Sequence, residues 1–478
     1  MNPAVVFFVA LQLFFAAPSV EIWVNPSVTD TGDGSQLHPF RNLSTAISAY
    51  PGESVRIHLS AGFFRGPFSI DGRVQLDGKA SSVLYAEGDQ PVLEGRGAVS
   101  LAGISLQGGK TGIVMRGMLH LEGVHFSGQR QTVIDLIQGF AEIDNSELIA
   151  SVSQVIGVQL HPSTHAHLRA TRFEGPFRRA VNSKDAEVLV VGCDFGMSVE
   201  GIHHSNGLLT VQKSVFGEGR GAAMFVGEGA HARISSVQIF GHEYGLQSFS
   251  AELDVDDFIS VRAVRAGIAL VKTRARLTDL LLVDSGSYGA IQMVSSDAQV
   301  QHLRVHHAQI YALNILQSHL TLSNAELTDI GKASDQPAEA VSLRETQATL
   351  HSLTILRSEG LGVQVAQASR VSADDLTLIG CQEGGVVAET SSEFRGRSVW
   401  VSDSWGAAIT VPDASSVMLS GFSSEKNRSG PLWLDCAQGA HASVSWLRGD
   451  ASDSSFEACV KISPDWVWGA DAKSKRGH

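Results

Sequence analysis

One cluster of basic residues has the composition that binding of an anionic group requires. The segment PFRRAVNSKD at 176–185 gathers Arg178, Arg179 and Lys184 within seven positions of one another. Guanidinium and ammonium groups bind carboxylates well, so the cluster can meet the carboxylate of an acidic sugar. It can equally pair with neighbouring acidic residues as an ordinary loop, and the sequence leaves both readings open.

A second cluster is acidic. The segment AELDVDDF at 251–258 carries Asp254, Asp256 and Asp257. Two carboxyl groups about 5–9.5 Å apart are what glycoside hydrolysis uses. Three acids in one short segment do not establish that spacing, and a solvated strand face explains them equally well.

Histidines recur at places that could bring their rings together. In HPSTHAH (161–167), His165 and His167 are two positions apart and share one face of a predicted strand. His120 and His167 occupy equivalent places in the repeat described below, and Glu142 lies between them. Imidazole and carboxylate groups can ligate a metal, but exposed surface histidines are the simpler interpretation, and no metal ligand is assigned.

A row of polar residues recurs in a phrase such as YGAIQMV (288–294), in which a small residue precedes alternating apolar positions. The alternation points one residue of each phrase outward, and these residues are Gln159, His203, Gln247, Ala269, Gln292, Asn314, Ser342, Gln364 and Thr410. This row predicts a longitudinal stripe of amides and hydroxyls, without a carboxylate or an outward aromatic ring. It is either a solvated sheet face or a surface for hydroxyl-rich ligands. The residues assigned to ligand binding are Gln247, Gln292, Asn314, Gln364, Arg178, Arg179 and Lys184, and no residue is assigned to catalysis.

The elements that must position these residues repeat along the chain. Pairs of apolar residues five positions apart recur mostly every 21–25 residues, for example Leu121 with Phe126 and Leu277 with Leu282. Each unit reads as two or three short strands separated by turns, and no helical segment lies between them. A unit of this length cannot bury its own apolar face, whereas stacked units form one continuous core. The spacing therefore predicts an all-β, parallel β-helix with about sixteen coils between residues 97 and 463.

The two ends of the chain have different predicted roles. The segment NLSTAISAYPG (42–52) predicts a short capping helix that begins at Asn42 or Ser44. An apolar run within residues 4–17 has the length of a signal-peptide core and is too short to span a bilayer. The predicted boundaries are a signal peptide at 1–19, a cap with the first coils at 20–96, the repeats at 97–463, and a C-terminal cap with a basic tail at 464–478.

Composition restricts the partners. The 478 residues carry a net charge of −13, which disfavours nucleic acid and anionic membranes, and no other stretch is apolar enough to cross a bilayer. The four cysteines form no C-x-x-C pair, so a zinc site of that kind is unsupported. Cys436 and Cys459 are about one repeat apart, but strand alternation puts them on opposite faces, and their pairing stays open.

Two N-terminal segments carry a resemblance to a known family. EIWVNPSVTDTGDGSQLHPFRNLSTAI (21–47) resembles the start of secreted right-handed parallel β-helix proteins, and PGESVRIHLSAGFFRGPFSI (51–70) resembles the strand and turn that follow it. The later coils are similar to the pectin-lyase-like repeat. The resemblance implies a single-stranded, right-handed solenoid. It does not imply one activity, because that family includes lyases, hydrolases, epimerases and proteins without known activity.

Comparison with the motifs of that family bears on whether the acidic residues form a catalytic or calcium site. The Asp256-Asp257 pair is similar to one fragment of a pectin-hydrolase site, but the companion Asn-Thr-Asp, Gly-His-Gly and Arg-Ile-Lys motifs are missing. Asp30 and Asp33 in DTGDG suggest calcium, but a structural turn explains them, and no cofactor is assigned.

The sequence thus predicts an exported protein, located outside the cell, in a periplasm or on the cell surface. Its predicted function is to bind a polysaccharide or a cell-surface protein along one flank, without a recognisable catalytic site. The alternative is a polysaccharide-active enzyme, either a uronate lyase or a glycoside hydrolase. A third reading is an adhesin or a phage-tail-like rod.

Overall fold

The computed structural model describes residues 20–30, 32–331, 338–444, 447–449 and 460–462, the last two ranges for their backbone only. The fold is an all-β, parallel solenoid of about 17 turns with almost no helix. The predicted fold class is therefore confirmed. By its internal contacts the chain divides into an N-terminal unit, up to residue 231, and a C-terminal unit, from residue 232 onward.

The N-terminal unit begins with a strand, a short capping helix and then short parallel strands. Helix α1 spans Leu43–Ser48. The strands of this unit are β1 Val20–Val24, β2 Ser54–Leu59, β3 Gly62–Arg65, β4 Phe68–Asp77, β5 Ser82–Ala86, β6 Leu93–Ala102, β7 Ser105–Gly108, β8 Thr111–Glu122, β9 His125–Ser127, β10 Thr132–Asp144, β11 Glu147–Ile149, β12 Ile156–Leu160, β13 His165–Arg169, β14 Arg172–Glu174, β15 Phe177–Val191, β16 Asp194–Phe195, β17 Ser198–Gln212, β18 Val215–Phe216 and β19 Ala222–Val226.

The C-terminal unit continues the same alternation of short strands, and β20 begins just before its first residue. Its strands are β20 Ala230–Phe240, β21 Tyr244–Phe249, β22 Glu252–Val261, β23 Ala266–Val271, β24 Arg274–Val283, β25 Gly289–Val294, β26 Asp297–His306, β27 Tyr311–Leu316, β28 His319–Ile330, β29 Glu339–Arg344, β30 Gln347–Ser358, β31 Leu361–Ala366, β32 Arg370–Cys381, β33 Gly384–Ala388, β34 Glu393–Ser402, β35 Ile409–Val411, β36 Ser416–Glu425, β37 Leu432–Leu434, β38 His441–Val444, β39 Leu447–Gly449 and β40 Val460–Ile462, with a 3₁₀ turn at Cys436–Gln438.

The predicted capping helix is present where the sequence places it. The side chain of Asn42 accepts a hydrogen bond from the backbone N–H of Ser44 at 2.9 Å, which satisfies one of the free donors at the helix start. Leu43 and Ala46 are buried, so one face of α1 is packed. No helix among the described residues combines the length and apolar character that crossing a bilayer demands.

The apolar pairs of the repeat form the core. Every predicted pair member, from Leu121 and Phe126 to Val417 and Phe422, is buried. Phe173, Phe195 and Phe216 occupy the same place in successive coils and stack face to face, with ring centroids 4.8 and 4.5 Å apart. Because each coil lies in register on the last, one apolar column runs through the unit.

A sharp corner separates two outward faces of the N-terminal unit. Gly139 lies within β10 at φ 103°, and a Cβ atom there would lie 2.0 Å from the carbonyl oxygen of Gly117 in the preceding coil. Only glycine permits this approach. Because β10 bends at this corner, Asp135 and Glu142 lie on different faces of the solenoid. Asp135 pairs with a residue of β12, and Glu142 pairs with a residue of β13.

A second kind of corner in the C-terminal unit depends on buried hydroxyl groups. A residue with positive φ, such as Ser295 or Gln317, is followed by an inward serine or threonine. The backbone N–H of Ser296 donates to Oγ of Ser318 in the next coil at 3.0 Å, and Oγ of Ser318 donates to the carbonyl of Leu316 at 2.7 Å. The residues that form this hydroxyl ladder are Thr273, Ser296, Ser318, Thr346, Ser369, Ser392 and Ser415.

Removing one rung of the hydroxyl ladder should destabilise the C-terminal unit. In Ser318→Ala the buried N–H of Ser296 loses its acceptor, which should cost about 1–2 kcal/mol of unfolding free energy. Ser318→Thr keeps the hydroxyl that threonine supplies at other rungs and is the matched control. Chemical denaturation followed by circular dichroism measures both. Equal stability of the alanine and threonine variants would contradict this role of the hydroxyl.

The cysteines differ in burial and bonding. Cys193 and Cys381 are free and buried, and burial raises the pKa of their thiols to about 11 and about 12. Cys436 is disulfide-bonded. The structure does not test the predictions for the signal peptide at 1–19, for the C-terminal cap and tail at 464–478 or for Cys459, because these residues lie outside the described ranges.

Candidate functional site

The predicted polar row forms a continuous ladder in the C-terminal unit. Residues on successive parallel strands are in direct register, in the order Gln247, Ala269, Gln292, Asn314, Ser342, Gln364, Val387, Thr410 and Trp433. We call its polar members, Gln247, Gln292, Asn314, Ser342, Gln364 and Thr410, the amide row. Neighbouring strands lie about 4.8 Å apart, so polar side chains follow one another at that interval from Gln292 to Gln364, with Ser342 fully buried among them. Ala269 and Val387 interrupt the row on either side of this stretch.

Some members of the amide row are already engaged and others are not. Oγ of Ser342 donates to Oε1 of Gln364 at 2.9 Å, and Nε2 of Gln364 donates to Oε1 of Glu389 at 2.8 Å. By contrast, the side-chain amides of Gln247 and Gln292 form no hydrogen bond to any described residue. Both are half-buried, so they are the amides best able to bind a ligand.

A guanidinium group, a carboxyl group and a phenol flank the row. Nη2 of Arg344 donates to Oδ1 of Asn314 at 2.6 Å. Burial raises the pKa of Glu339. Burial, followed by the charge of Glu339, raises the pKa of Tyr311, and the positive charge of Arg344 only partly opposes both shifts. Sequence reasoning took only one outward residue from each strand, and in β29 that residue was Ser342. It therefore missed Glu339 and Arg344, the half-buried residues at the two ends of the same strand.

Aromatic rings also accompany the row, contrary to the sequence-based expectation. The guanidinium of Arg265 lies 5.9 Å from the ring centroid of Tyr244 and 5.7 Å from that of Tyr288. The backbone carbonyl of Tyr288 accepts a hydrogen bond from Asn314. Trp433 ends the ladder with 47% of its surface exposed. The expectation missed the tyrosines because they lie at the starts of the row strands, outside the alternating positions. It missed Trp433 because the expected row ended one coil earlier, at Thr410.

The N-terminal unit has its own aligned row. Strands β10, β12, β15, β17 and β19 place in register the side chains of Asp135, Gln159, Asn182, His203 and Phe225. The sequence identified Gln159 and His203 but missed Asp135, a carboxylate, and Phe225, whose ring stacks on that of His203 at 4.5 Å. Variable coil length shifted the expected positions, so strand alternation alone did not find these neighbours.

The basic cluster is divided between two environments. Nε of Arg179 lies 2.8 Å from Oε2 of Glu200, and its Nη1 donates to Asn182. His203 also contacts Glu200, with Nδ1 at 3.0 Å from the same oxygen. Arg178 and Lys184 are exposed and have no side-chain partner among the described residues. The charge of Arg179 is therefore neutralised locally.

The histidines expected at equivalent places do lie in register. His120, Glu142 and His167 occupy neighbouring positions on β8, β10 and β13. Nδ1 of His120 lies 3.3 Å from Oε2 of Glu142, and Nη1 of Arg169 lies 3.1 Å from Oε1. His165 faces a different partner, Glu187, at 3.1 Å.

These contacts shift the ionisation of the group. The pKa of Glu142 is lowered, chiefly by hydrogen bonding with His120, and the same bond raises the pKa of His120. Burial, followed by the charge of Glu142, raises the pKa of Asp144 to about 6. Burial lowers the pKa of His167. Sequence reasoning did not connect Asp144 with this group.

The remaining acidic candidates do not form a buried site. Asp254, Asp256 and Asp257 are all exposed on or beside the outward face of β22. Asp33 accepts a hydrogen bond from the backbone N–H of Ser35 at 2.9 Å, which lowers its pKa and closes the turn, as a structural role requires.

No family model matches the chain, and no curated protein matches it. Solved structures that resemble it include the pectate lyase Pel9A, with 11% identity over 72% of this chain and 80% of that chain and a TM-score of 0.32. An alginate lyase from Paenibacillus sp. str. FPU-7 has 12% identity over 66% and 95%, with a TM-score of 0.27. PfbA, a surface adhesin of Streptococcus pneumoniae, has 12% identity over 82% and 88%, with a TM-score of 0.28. At this level of similarity none of them assigns an activity to this chain.

Neighbouring arginines should differ in their importance for stability. Arg179→Gln leaves the carboxylate of Glu200, whose side chain is 28% exposed, without its guanidinium, which should cost about 1–2 kcal/mol. Arg178→Gln, one position away and exposed, should change the free energy of unfolding by less than about 0.5 kcal/mol. Urea titration of the two variants checks the difference, and equal losses would refute it.

A buried histidine should make stability depend on pH. His204 is fully buried beside Ser183, with its Nδ1 2.8 Å from Oγ, and burial lowers its pKa from 6.5 to about 4. A group with a lowered pKa binds protons more readily when unfolded, so its stabilising effect is complete above pH 6.5 and is lost as the pH falls toward 4. Between about pH 7.5 and about pH 5 the loss should be about 2 kcal/mol.

The variant His204→Gln separates this group from other titrating residues. In this variant the unfolding free energy should fall less steeply between about pH 6.5 and about pH 5. The slope against pH should decrease by an amount that corresponds to at most one proton taken up on unfolding, whatever the stability of the variant at neutral pH. His302→Gln, at an exposed histidine, is the control. An unchanged pH profile in His204→Gln would contradict the assignment.

Proposed function

We propose that this chain is an exported protein that binds a neutral, hydroxyl-rich glycan along the amide row of its C-terminal unit. The observation that carries the proposal is the pair of half-buried amides, Gln247 and Gln292, that have no described hydrogen-bond partner. Each amide offers both donors and acceptors, which is the pattern that sugar hydroxyl groups match. Export itself rests on the apolar run in residues 4–17.

The surroundings of the row support a ligand with both polar and apolar faces. Tyr288 and Tyr244 supply rings beside the strands of Gln247 and Gln292, and Arg265 lies against both rings. Aromatic rings offer apolar area to the C–H faces of a sugar, and their edges remain compatible with water. Gln247 and Gln292 are two coils apart, which is about 9.6 Å, so a polymer that lies along the row can meet both amides.

Loss of the free amides should weaken glycan binding. Residues 20–478 would be screened on a neutral-glycan array, and hits measured by calorimetry for the wild type and for Gln247→Ala with Gln292→Ala. At about 1 kcal/mol for each lost hydrogen-bonding group, the double variant should bind roughly 10–30-fold more weakly.

Gln301→Ala is the matched control, because Gln301 is an exposed glutamine on β26 that lies outside the amide row. It should bind like the wild type. If no neutral glycan binds, or if the double variant binds as tightly as the control, the amide row is not the binding site.

A second candidate, a polysaccharide-active enzyme, is favoured by one observation. Ser342, Gln364 and Glu389 form a hydrogen-bonded series, and Glu339, whose pKa burial raises, lies beside Ser342. Acid–base cleavage of a glycosidic bond uses two carboxyl groups, one of which has a raised pKa.

Turnover distinguishes this candidate from binding alone. An enzyme would release new reducing ends from a bound glycan or, as a lyase, an unsaturated product that absorbs ultraviolet light. Glu339→Gln and Glu389→Gln should then abolish release while the glycan still binds. Binding without release by the wild-type chain would eliminate the candidate for that glycan.

A further inference from the structure

The N-terminal unit contains a group of side chains with the geometry of metal ligands. Ligand atoms of His120, Glu142 and Asp144 all lie within 4.8 Å of one another. Glu142 and Asp144 are two positions apart on β10, so they share a face, and His120 is opposite Glu142 on β8. Among the described residues this is the one such group.

The spacing of two of these atoms already suits coordination. Ligands about 2.0–2.1 Å from a tetrahedral zinc ion lie about 3.4 Å apart. Nδ1 of His120 and Oε2 of Glu142 are separated by 3.3 Å. Because all three ligand atoms lie within 4.8 Å of one another, closing the group to the spacing of about 3.4 Å requires each distance to shorten by no more than about 1.4 Å.

The burial of the acids is the second, independent observation. The side chain of Glu142 is 5% exposed and that of Asp144 is 15% exposed. Oδ1 of Asp144 is buried and has no hydrogen-bond donor among the described residues; its nearest cationic atom, Nη1 of Arg169, is 3.9 Å away. A buried carboxylate oxygen without a donor is costly, and a cation beside it would remove that cost.

We propose that His120, Glu142 and Asp144 bind a divalent transition-metal ion, with zinc as the expected occupant. One imidazole and two carboxylates suit zinc or manganese, whereas calcium prefers oxygen ligands alone. Three protein ligands leave coordination positions open to water or to a ligand.

Arg169 is compatible with this site because it contacts the other oxygen of Glu142. Its Nη1 lies 3.1 Å from Oε1, while Oε2 faces His120. A hydrogen-bonded partner on the outer oxygen orients a ligating carboxylate. With a neutral imidazole, two carboxylates and the guanidinium, the group carries one net negative charge, which a divalent ion reverses to one positive charge.

The chain provides a matched control on the same coils. His125 and Glu147 form an equivalent histidine–glutamate pair between β9 and β11, with Nδ1 2.7 Å from Oε2. Both side chains are 35% exposed, and no third ligand completes a group there among the described residues. If histidine–carboxylate pairs bound zinc without a third ligand, both sites would respond.

The test is calorimetric titration of the chelator-treated protein with zinc chloride alone, in parallel with manganese and calcium. The wild type should bind one zinc ion, and Asp144→Asn and His120→Gln should each lower the affinity at least tenfold, within the range that loss of a ligand or its support causes. His125→Gln should bind as the wild type does. Zinc should also raise the unfolding midpoint of the wild type but not that of Asp144→Asn.

Spectroscopy with cobalt(II) adds a readout that does not depend on stability. The wild-type complex should show visible absorption bands typical of four or five ligands, and His120→Gln should change them. The proposal is overturned if zinc does not bind saturably. It is also overturned if the Asp144→Asn variant binds like the wild type, or if the His125→Gln variant loses binding to the same extent.

Discussion

Every outward residue of this protein takes its neighbours from the pairing of each coil with the next, and that pairing must continue through the corners. At a corner the backbone turns, and the N–H that follows the left-handed residue needs an acceptor. In the C-terminal unit an inward serine or threonine of the next coil supplies that acceptor, and from Ser296 to Ser369 each such hydroxyl donates its own proton to a nearby carbonyl. A buried donor without an acceptor costs more than the bond itself gains, so these hydroxyl groups hold the coils in register where the sheets end.

Register has a direct chemical consequence. Side chains that are about one coil apart in sequence lie about 4.8 Å apart in space, so a polar residue repeated once in each coil becomes a row. The amide row consists of such repeats, interrupted at Ala269 and Val387, and its amides without a partner among the described residues are Gln247 and Gln292. In the N-terminal unit the same geometry brings unlike residues together, and the outcome is ionic. Arg179 pairs with Glu200, and His120 with Glu142. The same stacking of coils therefore places uncharged amides in a row in the C-terminal unit and ion pairs side by side in the N-terminal unit.

The balance between burial and charge distinguishes structural from available groups. Arg179 and Arg357 have carboxylate partners, so their charges stabilise the fold locally. Oδ1 of Asp144 is buried without a hydrogen-bond donor among the described residues, and burial raises the pKa of Glu339. Such groups cost stability unless a ligand, a proton or an ion compensates them. For this reason the two proposals lie at the unpaired amides and at the unsatisfied carboxylate, rather than at the most conspicuous charged clusters of the sequence.

The amino-acid sequence by itself determined the fold class, the coil period, the inward apolar pairs and the capping helix, because each depends on local alternation and on short-range turn or capping chemistry. It also placed the amide row, since one outward position per coil is readable from alternation. It did not reveal Asp144 beside His120, Glu200 beside Arg179, or the tyrosines beside the row. Those neighbours lie on different coils, and coil lengths vary from about 19 to about 28 residues. Only the tertiary structure decided which of these residues are neighbours. The register between two coils depends on where the chain turns its corners and on the hydrogen bonds formed there.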